Sequence, residues 1–138
     1  MNFGPYLNDF MGKWSVDRLL FDRHSGLEGH FIGHAVFTAG EKGLVYHETG
    51  RLSYGPGPAM TATRGYLWRA QDGRIIVDHA DGRPFHSFDP AAPEADHWCD
   101  PDSYKVRYSF AEWPLWRAQW VVTGPRKDYT MTSLYSPG

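Results

Sequence analysis

Polar and apolar residues alternate along most of this chain with a period of two, the spacing of strands that turn one face to a core and the other to solvent. Between Leu44 and Tyr54 one face carries Leu44, Tyr46, Glu48, Gly50, Leu52 and Tyr54, and the other Val45, His47, Thr49, Arg51 and Ser53. Met60, Ala62, Arg64, Tyr66 and Trp68 share a face in the next run. Tyr104, Val106, Tyr108 and Phe110 oppose Lys105, Arg107 and Ser109. Further on, Trp116, Ala118, Trp120 and Val122 oppose Leu115, Arg117, Gln119 and Val121, and Tyr129, Met131, Ser133 and Tyr135 share one side of the last run. No segment gives a convincing helical period, and a short turn within Pro5 to Met11 is the only helix expected.

Turn signals punctuate these runs at hairpin spacing: His24-Ser25-Gly26, Gly40 to Gly43, Gly55 to Pro58, Gln71-Asp72-Gly73, Asp81-Gly82 and Gly124-Pro125. Asp-Gly is a strong hairpin signal, because both central residues of a type I′ turn need positive φ. Nine candidate strands result, starting near Lys13, Gly29, Gly43, Ala59, Arg74, Arg83, Tyr104, Leu115 and Asp128. Successive hairpins without long crossovers predict an all-β fold, an antiparallel up-and-down β-barrel of about 8–10 strands whose closure removes its edges. A β-sandwich is the rival architecture. One stretch breaks the rhythm: Asp89 to Asp102 is long, acidic and Pro-rich, and is expected to be a loop capping one end.

Composition sharpens this picture in three ways. The 138 residues suit one domain spanning 1–138, with 41% hydrophobic and 22% charged residues. Aromatic residues reach 16%, with 6 Trp, 8 Tyr and 8 Phe, and such side chains favour strands and line ligand cavities. The net charge of −2 comes from mixed signs without a long basic run, so no nucleic-acid partner is expected. Cys99 is the single cysteine and cannot form an internal disulfide, pointing to a reducing compartment. Met1 to Phe10 lacks the features of a signal peptide, and no apolar stretch approaches the roughly 20 residues of a membrane helix. The expected location is cytoplasmic, with no membrane partner.

Phe10-Met11-Gly12-Lys13-Trp14, just before the first strand, resembles the Gly-x-Trp signature that opens lipocalins. In that family the Trp closes the barrel floor and a late Arg packs across it; the resemblance gives Arg126 that role, and a guanidinium does stack well on an indole. Asp81 to His86 and Gly124 to Tyr129 resemble more specifically a family of short, uncharacterised bacterial and fungal lipocalin-like domains, over nearly the whole chain. The resemblance implies a calycin-type barrel and brings no established activity. Lacking a signal peptide and disulfides, the chain departs from secreted lipocalins.

If the apolar faces point inward, Glu48 and Arg64 go with them and are expected to form an interior salt bridge or hold a polar ligand. His86 shares its strand face with Phe88 and is drawn inward, while His97 lies in the long loop near Cys99 and Asp102. Either imidazole could move a proton near neutral pH. His97, Cys99 and Asp102 match no metal template, so no metal is expected. The leading reading is a barrel that binds a small organic molecule, flat or conjugated. Tyr46, Tyr66, Trp68, Tyr108 and Trp120 would line it, and Glu48, Arg64, His86, His97 and Lys127 would supply polar groups. Alternatives are a barrel enzyme (isomerase, lyase or hydrolase) with His86 or His97 as acid–base, a haem-binding barrel, and a structural domain filled by its own aromatics. The ligand, any cofactor and the oligomeric state are open at this point.

Overall fold

The computed structural model describes residues 4–138, so of the N-terminal segment read above residues 1–3 lie outside the described residues. A short 3-10 helix, Leu7–Phe10, leads into ten strands: β1 Gly12–Asp22, β2 Leu27–Ala39, β3 Leu44–Tyr54, β4 Met60–Gln71, β5 Arg74–His79, β6 Pro84–Phe88, β7 Glu94–Cys99, β8 Asp102–Ser109, β9 Trp116–Thr123 and β10 Asp128–Pro137. They form one antiparallel sheet in the order β6-β5-β4-β3-β2-β1-β10-β9-β8-β7. Each strand thus pairs with its chain neighbours, and β1 with β10 joins the two halves. The sheet curls into a nearly closed barrel. Its seam lies between β6 and β7, which meet through side chains such as Phe85 and His97, ring centroids 5.4 Å apart, without a hydrogen-bonded ladder.

Local chemistry explains the elements. The β4–β5 hairpin turns on Asp72 and Gly73 with φ of 52° and 76°, the two positive angles that type I′ demands. At the helix, Asp9 Oδ2 accepts from the Tyr6 amide at 2.8 Å, and the turn delivers Phe10, fully buried, into the barrel end. Gly33 and Gly50 face each other across β2 and β3. A Cβ on either would stand 2.3–2.4 Å from a backbone oxygen of the partner strand and 2.7–2.8 Å from the Phe31 ring, which lies across them.

Two expectations are corrected here. The stretch Asp89 to Asp102 is not simply a loop: Glu94–Cys99 is strand β7, paired antiparallel with β8 from Glu94↔Arg107 to Cys99↔Asp102. It escapes a period-two reading because it is an edge strand whose residues are half-buried at best. Trp14 is buried at 5% exposure, as expected of a floor residue, but Arg126 does not reach it. The β1–β10 register sets Trp14 against Pro137 and Asp22 against Tyr129, so Arg126, exposed in the β9–β10 turn, sits at the other end. The indole Nε1 instead donates to the Phe10 carbonyl at 2.8 Å, and the ring packs against Trp113 and Trp116.

Candidate functional site

The barrel has a filled half and an open half. At the Trp14 end, Phe10 lies with its ring centroid 5.0–5.8 Å from those of Phe37, Trp68, Phe110, Trp113 and Trp116, so aromatic edges and faces occupy the whole section. At the opposite end a cavity of about 230 Å³ opens between β4–β6 and β7–β10, lined by Arg64, Tyr66, His79, Phe85, His97, Cys99, Tyr104, Trp120, Tyr129 and Met131. A second space of about 80 Å³, lined by Leu20, Phe31, Leu52 and Ala62 among others, adjoins it and shares Arg64 and Met131. A larger concavity of about 640 Å³ lies on the outer surface beside the β2–β3 turn. The charged pair on its wall, Arg69 and Asp78 at 3.2 Å, is already satisfied, and it is a surface groove.

Phe85 is the hub of the mouth, and a β-bulge puts it there. Val77 pairs with His86 and Asp78 with Pro84, so Phe85 has no partner on β5, and Phe85 and His86 are both buried where alternation would bury one. The Phe85 ring stacks on His79 at 4.8 Å and on Tyr66 at 6.0 Å, and meets Trp120 at 5.2 Å, His97 at 5.4 Å and Tyr104 at 5.7 Å. At the rim Lys127 Nζ bonds Asp102 at 3.1 Å and the Tyr104 hydroxyl at 3.4 Å, and these partners hold its ammonium charged.

The expected Glu48–Arg64 salt bridge is replaced by another. Glu48 and Arg64 are register partners on one interior face, but Glu48 is taken by Arg18 of β1 in a bidentate pair at 2.6 and 2.9 Å. Arg18 Nε also donates to Ser133 Oγ at 2.7 Å, its guanidinium lies over the Phe31 ring at 5.1 Å, and Tyr46 bonds both Glu48 and the Tyr135 hydroxyl. Burial pushes the Glu48 carboxyl up, but the Arg18 hydrogen bonds and charge outweigh it and hold the group below its ordinary range. The pair is therefore ionised and satisfied, and it borders the smaller of the two spaces. Arg64 Cζ lies 5.5 Å over the Trp120 ring, and among the described residues Arg64 makes no hydrogen bond or ion pair.

His86 is inward, with Nε2 2.9 Å from the Tyr108 hydroxyl. Burial, with smaller contributions from His97 and His79, pushes its imidazole down to about 3, so it is neutral across the physiological range. Among the described residues its Nδ1 has no partner, and neither do the Nε1 atoms of Trp68 and Trp116; all three residues border a space of only about 20 Å³. His97 is at the mouth, where burial and His79 lower it more mildly.

Of the residues singled out in the sequence, Arg64, Tyr66, His97 and Trp120 come together around the mouth cavity, with Lys127 at its rim. Tyr46 and Glu48 belong to the Arg18 network, His86 and Tyr108 form an inner pair, and Trp68 packs in the filled half. Sequence reading missed Phe85, His79, Tyr104, Tyr129 and Arg18. Tyr104 and Tyr129 stood on faces already recognised as apolar, whereas nothing in the pattern announces the bulge that turns Phe85 inward.

A nearly closed, ten-stranded antiparallel barrel with this connectivity is a lipocalin-like fold. The chain belongs to a family of unknown function (DUF6314), which it matches over residues 10–137. In structure it is similar to the S-type phycobiliprotein lyase CPES from Guillardia theta, with a TM-score of 0.59 over 94% of this chain and 87% of that one, at 11% identity. At that identity the likeness is one of fold. No curated protein matches it in sequence. Among the described residues no helix is long and apolar enough to cross a membrane.

Proposed function

We propose that this protein binds a small, flat or conjugated organic molecule in the mouth of its barrel. The observation that carries the reading is the contrast in filling of the interior: at one end aromatic rings pack around a fully buried Phe10, with a space of about 220 Å³ only outside them by Tyr6 and Trp113, while at the other Phe85, Tyr66, Tyr104 and Trp120 border about 230 Å³ of free space. Apolar walls with a few polar groups are the usual composition of a small-molecule site. Arg64, His97 and the Lys127–Asp102 pair supply those groups here. The likeness to a barrel that acts as a phycobiliprotein lyase is consistent with a fold that handles small molecules. An acid–base role draws less support at His86, which is neutral and walled off by the Phe85 ring at 4.4 Å, than at His97, which borders the cavity. A haem site draws less support, because the cavity that His79 and His97 border, about 230 Å³, is small for a macrocycle.

Native mass spectrometry and a full absorption spectrum of protein purified from cells test the reading. An excess mass that is retained by Trp14→Phe and lost in Trp120→Ala is expected. A bare polypeptide mass, unchanged after incubation with flat aromatic compounds, would contradict it.

A further inference from the structure

We propose that the molecule held in the mouth carries a single carboxylate and that Arg64 is its anchor. This deepens the mouth-binding reading and rests on it. The charges inside the barrel nearly all cancel. Arg18 is neutralised by Glu48 in the bidentate pair, and Lys127 by Asp102. His86 is kept neutral by burial, and His97 is shifted in the same direction. Arg64 is the cation left over: it borders both free spaces, and it has no carboxylate or carbonyl partner among the described residues.

A half-buried guanidinium with five donors and no acceptor is costly to leave so, and β4 offers it nothing. It rests on the Trp120 face, a contact that leaves its N–H groups unoccupied, and its charge reaches Glu48 through space without a hydrogen bond or ion pair among the described residues. The register explains why the charge survives: Arg64 stands opposite Glu48, the acid that would otherwise quench it, and Arg18 on β1 has already claimed both carboxylate oxygens. One uncompensated positive charge matches a monoanion better than a phosphate monoester, which carries about −1.5 to −2 at neutral pH. A carboxylate also presents the planar pair of acceptors that a guanidinium fork fits. The Tyr66 and Tyr129 phenols border the same cavity, close enough to feel the Arg64 charge, and can donate to the bound anion.

Isothermal titration with 2-naphthoate and its uncharged isostere 2-naphthamide separates this proposal from the one beneath it. The native protein is expected to bind naphthoate about ten- to a hundredfold more tightly, the range of one charge-assisted hydrogen-bonded anchor. Arg64→Met should abolish the preference, so that naphthoate and naphthamide bind that variant equally, with folding checked by its urea midpoint. Arg64→Lys should restore part of it. Arg51→Met, which removes the same charge from an exposed position on β3, should keep the full preference. Equal binding of both compounds by the native protein, or a preference that survives Arg64→Met, overturns the carboxylate assignment while the mouth remains a binding site. Failure of both compounds to bind overturns the mouth reading itself.

Discussion

The two ends of this barrel are built from the same kinds of side chain and do opposite things with them. At the Trp14 end, Trp116 stacks face to face on Tyr135 at 3.7 Å, Phe10 fills the centre, and Trp68 and Trp116 are at most 4% exposed. At the other end Phe85, Trp120, Tyr66 and Tyr104 meet one another yet leave a cavity between them. The difference is one of backbone. The chain enters through a helical turn that pushes Phe10 into the first end, and the β8–β9 connection lays Trp113 over it, with ring centroids 5.0 Å apart. The second end has only hairpin turns around its rim. Aromatic content alone therefore does not specify a ligand site; what matters is whether an element lies across the barrel end.

The largest effect should come from breaking the filled end. Trp116→Ala removes a buried indole among rings that cannot collapse onto the gap, and is expected to cost about 3–5 kcal/mol. Trp120→Ala, at the half-empty end, should cost about 1 kcal/mol, the ordinary toll of a point change. Urea denaturation of the two variants measures the contrast, and equal losses would mean that the mouth is as tightly packed as the floor.

Between the ends lies the Arg18–Glu48 pair, which behaves like core although it is ionic. Arg18→Met strands a buried carboxylate and should cost about 3 kcal/mol or more. Adding Glu48→Leu should recover most of that loss, because well-packed apolar replacements of a buried pair are often neutral. If the double variant is as unstable as Arg18→Met, the network contributes through Ser133, Tyr46 and Tyr135 more than through its charges.

A smaller, pH-dependent effect marks His86. The unfolded chain takes up its proton near the ordinary value of 6.5, whereas the folded chain does not until about 3. The unfolded state thus binds more protons in that window, so stability is whole above about pH 6.5 and falls with acidification by up to about 1.4 kcal/mol per pH unit. Glu48 also favours the folded state when ionised, but that contribution falls only as the pH drops to about the ordinary value of 4.5, where the unfolded chain takes up the proton. Urea midpoints at pH 7 and pH 5 should therefore differ by about 2 kcal/mol in the native protein, and much less in His86→Gln.

The fold was legible because the sequences of β3, β4, β8, β9 and β10 largely alternate between an apolar and a polar face. Where hydrophobicity and facing part company, legibility ends. In β1 the inward residues include Trp14, Val16 and Arg18, while Leu19 and Phe21 point out at 61% and 43% exposure, so apolar residues stand on both faces and nothing marks Arg18 as inward. Without Arg18, Glu48 and Arg64 looked like each other's partner. Half the mouth was likewise hidden, by the β6 bulge at Phe85 and by an edge strand too polar to look like one.

The central claim, that one end is structure and the other is site, is tested most directly by ¹⁹F NMR of protein labelled with 5-fluorotryptophan. The six indoles give separate reporters, three of which, Trp14, Trp68 and Trp116, are buried in the filled half. Titration with 2-naphthoate is expected to shift the Trp120 resonance, assigned by its loss in Trp120→Phe, and to leave those three in place. Shifts centred on Trp68 or Trp116 with Trp120 unmoved would put the ligand in the half described here as closed, and would contradict the account.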